Sequence, residues 1–154
     1  MKLFLRRFSD LSLDQLYQII KLRNKVFIIE QNCPFLDLDD QDQGAFHLFL
    51  QHQSRFIGYL RVNPLEMNYS VVKLSRFCLL PEYRDKDLGK DMLKFILTHA
   101  EKSWRSQEIQ ISAQEYLEGF YQKFGFIASS EAYEIDNILH INMKKSFAAN
   151  KPKQ

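Results

Sequence analysis

The segment with the clearest chemical potential in this sequence is a short basic stretch, Arg84-Asp85-Lys86-Asp87-Leu88-Gly89-Lys90. It follows residues 71–80, an apolar run that predicts a strand, and leads into a helical repeat over residues 87–103. A helix N-terminus has unpaired backbone N–H groups and a partial positive charge. Gly89 lets a ligand approach the backbone closely, and Arg84, Lys86 and Lys90 add positive charge. The segment therefore predicts a pyrophosphate cradle. By spacing alone, an ordinary strand-to-helix connection with a solvated basic edge explains it equally well.

The first half of the chain predicts a helix, an acidic loop and a hairpin. Ser12 and Gln15 have the spacing of a capping box, which places the start of the helix. An acidic loop over residues 32–44 follows, and the next two strands, 45–53 and 55–63, are close enough to form an antiparallel hairpin. The predicted buried stripe of the helix consists of apolar residues at helical spacing: Leu13, Leu16, Tyr17, Ile20 and Phe27.

The second half predicts three more strands and two helices. Besides the helix at 87–103, a short helix over residues 117–124 ends at Gly125, a typical C-cap residue. Residues 108–113, 126–133 and 138–144 have the composition of strands. With an N-terminal strand at residues 2–8, this order predicts an α/β (α+β) fold with helices packed on the faces of a mixed sheet.

Composition limits the class of protein. The chain has 154 residues, of which 45% are hydrophobic, and this suits a single domain over residues 1–147 with a disordered tail at 148–154. Its 21 basic and 19 acidic residues leave a net charge of +2, so we expect neither nucleic acid nor membrane as a partner. Apolar runs are too short for a membrane span. Cys33 and Cys78 show no sign of disulfide pairing, which favours a reducing, cytoplasmic location.

Two motifs downstream of the hairpin resemble the GCN5-related N-acetyltransferase (GNAT) superfamily. That superfamily carries an Arg/Gln-x-x-Gly-x-Gly/Ala loop, and here Arg84 to Gly89 fits it except that Asp87 replaces the first glycine. The run Tyr121-Gln122-Lys123-Phe124-Gly125-Phe126 resembles the Tyr-x-x-x-Gly-Phe of the same superfamily. In the first half, Glu30-Gln31-Asn32-Cys33-Pro34-Phe35 is similar to the ElaA-type branch, so the resemblance spans nearly the whole chain.

The resemblance implies a fold, a cosubstrate and a reaction. The sheet would have about six or seven mostly antiparallel strands, with two central strands splayed around the pantetheine arm of acetyl-CoA. That arm would pair with the backbone of Phe77, Cys78 and Leu79, and Gln114 would bond the cofactor. An amine would attack the thioester directly, and Tyr121 would protonate the leaving thiolate. Dimers are common in the superfamily, so a homodimer is one expectation for the assembly.

Several residues are candidates for binding the amine acceptor or removing its proton. Glu30 is the candidate base at the end of the first helix, where acceptor-binding loops of this fold begin. The acids Asp37, Asp39, Asp40 and Asp42 form either an acidic rim that attracts a cationic amine or a solvated loop. His47 and His140 are further candidates, although each fits a hydrogen-bonded strand histidine better. Arg76 stands in an apolar strand and is expected to pair with one of the acids.

Two other functional classes are weighed against catalysis. Metal binding is not expected, because the cysteines and histidines lack zinc-type spacing and the acidic loop lacks the residues of a calcium loop. A catalytically idle domain that binds acyl-CoA as a sensor or interaction domain is the alternative. Asp87 favours it, since a carboxylate beside a pyrophosphate repels it, whereas Tyr121 and Glu30 favour an enzyme.

Overall fold

The structure is a computed structural model that describes residues 1–148. Within these residues the α-helices are α1 (Leu13–Arg23), α2 (Leu88–Lys102) and α3 (Glu118–Gln122), and a π-helical segment, Asn24–Glu30, continues α1. The strands are β1 (Lys2–Arg7), β2 (Phe46–His52), β3 (Arg55–Pro64), β4 (Val71–Leu79), β5 (Glu108–Gln114), β6 (Ile127–Ala128), β7 (Tyr133–Ile135) and β8 (Ile138–Ser146). The predicted mixed, mostly antiparallel sheet with flanking helices is confirmed. Of the predicted tail at 148–154, all but Ala148 lies outside the described residues.

The chain divides into two compact units. Within the described residues, the first comprises residues 1–63 and 74–97, and the second comprises residues 64–73 and 98–148. In the first unit the strand order is β1-β2-β3-β4, with β1 and β3 antiparallel to β2. The second unit contains the start of β4, and its order is β4-β5-β8-β6 with β7 also on β8. β5, β6 and β7 each run antiparallel to β8.

Helix α1 begins where the sequence predicts but buries a different face. The Ser12 side chain accepts a hydrogen bond from the Gln15 backbone, and the Gln15 side chain accepts one from the Ser12 backbone, so the capping box is confirmed. The predicted buried stripe is wrong at Leu13, which is 87% exposed, and at Tyr17, which is 69% exposed, whereas its other three members are half-buried: Leu16, Ile20 and Phe27. Apolar residues occur on two faces of this helix. The buried face carries Ile19 and Leu22 together with Arg23, and Val26 of the π-helical segment is buried as well.

The hairpin and α2 build the rest of the first unit. β2 and β3 pair as predicted, with Gln53 in the left-handed conformation at the turn (φ 55°). Gly58 on β3 allows close packing, since a Cβ there would lie 2.7 Å from Leu79 Cδ2 and 2.9 Å from Met92 Sδ. The close packing of Gly58 against Leu79 and Met92 fixes the first part of α2 against the end of β4.

The second unit differs from the prediction at one strand. The single strand expected over residues 126–133 is instead β6 and β7, separated by residues 129–132, of which Ser129 donates its backbone N–H to Asn142 O (2.7 Å). Gly125 has φ 89° and follows α3, which confirms its predicted role at the helix end. The Phe126 N–H bonds to Tyr121 O (3.3 Å) and closes this turn.

Candidate functional site

The connection from β4 to α2 presents a row of backbone N–H groups. After a 3₁₀ turn, Pro81–Tyr83, the chain places Asp85 (φ 59°) and Asp87 (φ 61°) in the left-handed region. The first bond of α2 joins the Asp91 N–H to Asp87 O (3.0 Å). The N–H groups of residues 88–90 therefore precede the bonded part of the helix and have no partner within it. This is the geometry of an anion site at a helix N-terminus.

Asp87 occupies a backbone conformation that explains why a glycine is usual there. Aspartate tolerates the left-handed region better than most side chains, so the turn forms without glycine. The Asp87 side chain is 76% exposed, and its Oδ1 lies 3.2 Å from Lys90 Nζ. The Asp87 carboxylate therefore points toward solvent, and the Lys90 cation partly neutralises it.

Gly89 is not required by the packing of the protein. A Cβ at this position would meet Leu79 Cδ1 at 3.4 Å and Phe77 Cζ at 3.7 Å, which are ordinary van der Waals distances. Gly89 is absent from the residues with positive φ, so alanine fits its backbone as well. Since neither packing nor backbone demands glycine, the close approach of a ligand remains the physical reason for it.

Arg84 begins the segment and joins it to the end of the π-helical segment. Its Nε and Nη2 donate to Leu79 O (3.1 and 2.9 Å), and its Nη1 and Nη2 donate to the two carboxylate oxygens of Glu30 (2.5 and 2.7 Å). The Arg84 guanidinium lowers the pKa of Glu30 below its ordinary value. The ion pair therefore makes Glu30 a weaker base than a free glutamate.

The acidic loop buries two of its aspartates and exposes an apolar side chain, which is the opposite of the predicted acidic rim. Asp37 and Asp42 are buried, whereas Leu36 on the same loop is 83% exposed. Arg23 Nε donates to Asp37 Oδ2 (2.7 Å) and its Nη1 donates to Asp42 Oδ1 (2.6 Å). The interpretation of Asp37 and Asp42 as a solvated loop or a free acidic rim is thus wrong, because a buried guanidinium neutralises both.

A second buried arginine holds the same loop from β3. Arg61 Nη1 and Nη2 donate to the two oxygens of Asp39 (2.7 and 2.8 Å), and Nη1 also reaches Asp42 Oδ1 (3.0 Å). Burial alone would raise the pKa of Asp39, but the hydrogen bonds and charge of Arg61 outweigh it and lower the pKa to about 2. These acids are therefore ionised structural partners at neutral pH. The sequence did not indicate the ion pairs of Arg23 or Arg61, since their acidic partners lie at least 14 residues away along the chain.

Arg76 pairs with the acids, as the sequence predicts, and has an unexpected backbone conformation. Its Nε donates to Asp37 Oδ1 (2.8 Å), and its Nη2 donates to Asp37 O (2.9 Å) and to Asp39 Oδ2 (3.3 Å). Arg76 lies inside β4 with φ 56°, which is typical of a β-bulge. Arg76 directly precedes Phe77, Cys78 and Leu79, whose backbone is the predicted partner of the pantetheine arm. Burial raises the pKa of the Cys78 thiol to about 12.

His47 is enclosed in the core of the first unit. Its Nδ1 is 2.6 Å from Tyr59 Oη and its Nε2 is 2.9 Å from Asp42 O, and burial lowers its pKa. A side chain with no exposed surface and both ring nitrogens engaged cannot contact an acceptor, so His47 as a substrate-binding residue is wrong. The competing interpretation, a hydrogen-bonded strand histidine, is the one that the structure contains.

In the second unit Tyr121 is a buried residue of α3. Its ring meets Phe120 and Phe126 in edge-to-face contacts, with centroids 5.1 and 5.7 Å away. Burial, and to a lesser degree the charge of Tyr116, raises its pKa above the ordinary phenol value. The phenol is therefore protonated at neutral pH, and its role as an acid stays a prediction.

One face of β5 and β8 in the second unit carries polar side chains, of which the sequence singled out Gln114 and His140 but not Ser112 or Asn142. Gln114 opposes His140 and Ser112 opposes Asn142 in the antiparallel register. Tyr133 Oη hydrogen-bonds both Ser112 Oγ and Asn142 Oδ1. His140 Nδ1 is 2.7 Å from Ile138 O, and its ring stacks on Tyr133. The alternation of β5 was the available signal, since Ser112 and Gln114 share the face opposite buried Ile111 and Ala113.

Residues 1–148 lack the features of two other classes of protein. Among them, no group of three histidine, cysteine, aspartate or glutamate side chains is placed to hold a metal ion. None of the helices in this part of the chain has the length and apolar character needed to cross a membrane. Neither Cys33 nor Cys78, both of which lie within the described residues, forms a disulfide.

Comparison with known proteins identifies the family. The family model described as the acetyltransferase (GNAT) domain matches residues 21–147. The chain belongs to the GNAT acetyltransferase family. The match includes the β4–α2 connection, Gln114 and Tyr121, and it agrees with the resemblance found in the motifs.

Relatives of this GNAT protein cover nearly its full length. Protein ElaA of Escherichia coli is 32% identical over 139 residues, which are 89% of this chain and 91% of ElaA. The crystal structure of Escherichia coli ElaA superposes with a TM-score of 0.88, covering 94% of this chain and 99% of ElaA at 30% identity. An acyl-CoA N-acyltransferase from Pseudomonas aeruginosa superposes with a TM-score of 0.87 at 30% identity, covering 95% of this chain and 100% of that one.

A more distant solved structure shares the fold alone. An aminoglycoside 6′-N-acetyltransferase complexed with coenzyme A superposes with a TM-score of 0.71 at 12% identity, covering 97% of this chain and 99% of that one. Coenzyme A thus binds to at least one protein of this fold. Membership of the GNAT family assigns this chain to the acyltransferases.

Proposed function

We propose that this GNAT protein transfers an acetyl group from acetyl-CoA to a primary amine by direct attack. The observation that carries the proposal is the β4–α2 connection, where left-handed Asp85 and Asp87 lead into residues 88–90 at the open start of α2. Unbonded N–H groups at the positive end of a helix favour a pyrophosphate. The name of the Pseudomonas aeruginosa relative, an acyl-CoA N-acyltransferase, supports the same class of donor.

In the proposed complex the backbone makes most contacts with the donor. The N–H groups of Leu88, Gly89 and Lys90 bond the pyrophosphate, and Lys86 and Lys90 supply charge. Arg84 contributes less than the sequence suggests, because Glu30 already holds its guanidinium. The pantetheine amides pair with the backbone of residues 77–79, so the side chains there matter little. In the second unit, Gln114 bonds the cofactor.

The chemistry consists of one substitution and two proton movements. The nitrogen of the neutral amine attacks the thioester carbonyl, a C–N bond forms, the C–S bond breaks, and the thiolate of coenzyme A leaves. The new amide nitrogen gives its extra proton to solvent. Tyr121 protonates that thiolate, whose ordinary pKa is about 8.5. Burial raises the pKa of Tyr121, which keeps the phenol protonated at neutral pH but makes it a weaker acid than an exposed tyrosine.

The state of Glu30 favours one kind of acceptor. An α-amine with a pKa of about 8 is partly deprotonated at neutral pH, whereas a lysine amine with a pKa of about 10.4 needs a base. Glu30 is a weak base because Arg84 lowers its pKa, and the loop acids are neutralised by arginines. We therefore propose a small-molecule or peptide amine of low pKa as acceptor. We also propose a cytoplasmic location. Homodimer formation stays a prediction.

The test is a panel of amines with acetyl-CoA as donor. Two quantities are measured in the same reaction: the free thiol that is released, and the acetylated amine, which is detected by mass spectrometry. The α-amines and lysine-type amines are supplied at matched concentration. We expect stoichiometric thiol and product, with α-amines preferred at pH 7. Titration with CoA alone measures binding separately, and absence of binding at millimolar CoA would refute the donor assignment.

An acyl-CoA sensor of the same fold is the second candidate. It is favoured by one pair of observations: Glu30 is held by Arg84, and Tyr121 is only 3% exposed. CoA binding without thiol release across the whole panel would establish the sensor in place of the enzyme.

A further inference from the structure

Arg76 combines a costly backbone conformation with several bonds that hold it. It lies in the interior of β4 with φ 56°, and few side chains other than asparagine and aspartate adopt that region readily. We propose that Arg76 is a positioning residue for acyl transfer, whose ion pairs with Asp37 and Asp39 hold the bend of β4 directly before residues 77–79. This inference rests on the proposed function, in which the pantetheine arm pairs with that backbone.

Three hydrogen bonds from one guanidinium fix the Arg76 side chain. Two go to Asp37, at its Oδ1 (2.8 Å) and its backbone oxygen (2.9 Å), and one goes to Asp39 Oδ2 (3.3 Å). The Arg76 side chain is only 27% exposed, so solvent screens these charges less than at the surface. The acidic loop thereby fixes one residue in the middle of a strand.

The acids that hold Arg76 are themselves held from the opposite side. Arg23, at the end of α1, donates to the second oxygen of Asp37 (2.7 Å). Arg61, on β3, binds both oxygens of Asp39 and donates through Nε to Ser75 Oγ (2.9 Å), the residue before Arg76. Asp37 and Asp39 are therefore held in place by other residues and can in turn hold the Arg76 side chain. An unfavourable backbone conformation persists where several surrounding interactions enforce it.

A single left-handed residue redirects the strand that follows it. A left-handed residue interrupts the extended course of its strand, so the N–H and C=O directions of residues 77–79 depend on the conformation of Arg76. The reacting thioester belongs to the arm that we assign to this backbone. Misplacement by about 1 Å can cost about 10²-fold in rate, so a relaxed bend lowers turnover more than binding.

Arg76→Ala and Arg76→Gly separate the conformation from the side chain. Alanine removes the bonds and disfavours the left-handed region, whereas glycine removes the bonds and adopts that region freely. Gln53→Ala is the matched control, since Gln53 has φ 55° at the β2–β3 turn and has no assigned role. We expect kcat to fall about tenfold or more in Arg76→Ala and about threefold in Arg76→Gly, with the Kd for CoA changed by less than about threefold. Gln53→Ala should lower Tm and leave kcat unchanged.

Amide hydrogen exchange at residues 77–79 gives a second measurement that needs no acceptor. Exchange should be fastest in Arg76→Ala, intermediate in Arg76→Gly and slowest in the wild-type protein and Gln53→Ala. Equal kcat and exchange in Arg76→Gly and wild type, or equal impairment of the two Arg76 variants, would overturn the proposal. If the wild-type protein neither binds CoA nor releases thiol, the proposed function fails. Exchange alone then decides whether Arg76 holds the bend.

Discussion

Replacing Gly89 with alanine should strengthen the fold and weaken the binding of CoA. The new methyl group would meet Leu79 Cδ1 at 3.4 Å and Phe77 Cζ at 3.7 Å, so the folded protein accommodates it. Alanine is more favourable than glycine in a helix by ~0.5–1 kcal/mol, which raises Tm by about 1–4 °C in a chain of this size. The same methyl group stands where the pyrophosphate must approach the backbone, and a hydrogen bond to a charged group contributes ~1.5–3 kcal/mol. Loss of one such bond weakens binding by about 10- to 100-fold.

Gly119 provides the matched control for this variant. It is the second residue of α3, as Gly89 is the second residue of α2, and an added Cβ there meets nothing within 4 Å. Gly119→Ala should raise Tm without changing the affinity for CoA. Isothermal titration calorimetry and thermal unfolding measure the two effects. A Gly89→Ala protein that binds CoA as tightly as the wild type would refute the backbone cradle.

Three further substitutions test single groups. Asp87→Gly keeps the left-handed turn and removes a carboxylate, so calorimetry should show severalfold tighter CoA binding, more at low salt than at high salt. Tyr121→Phe should lower turnover ~10²-fold or more in the thiol-release assay with CoA affinity retained, and unchanged turnover would remove Tyr121 from the mechanism. Glu30 has a lowered pKa, so its pair with Arg84 stabilises the protein above the unfolded pKa of about 4.3. The Tm difference between wild type and Glu30→Gln should thus shrink as pH falls below about 4. A constant difference would contradict this.

Local signals in the sequence predicted the elements around the site. The Ser12–Gln15 capping box, the β2–β3 hairpin and the glycine after α3 each depend on contacts between residues close in sequence. The β4–α2 connection was likewise visible as a strand, a proline and a helical repeat. Such features are fixed by local geometry, so the chain need not be folded to recognise them.

The ion pairs of Arg61 could not be predicted from the sequence, and the reason is physical. Arg61 pairs with Asp39 and Asp42, which lie 22 and 19 residues before it in the chain. Neither the sequence around Arg61 nor that around the acids indicates which charges will meet. β3 is buried on both faces, so its alternation could not mark Arg61 as an inward charge. The exposed Leu13 shows the same limit, because the fold selects which of two apolar faces of α1 is covered.

The central claim is that the start of α2 binds the pyrophosphate of acetyl-CoA through its backbone. Titrating ¹⁵N-labelled protein with CoA tests it directly, because an N–H that donates to a phosphate oxygen shifts downfield. The amides of Leu88, Gly89 and Lys90 should show the largest downfield shifts and saturate at one equivalent, while the amide of Gly119 stays unmoved. Unchanged amides at residues 88–90, with CoA bound elsewhere or not at all, would contradict the claim.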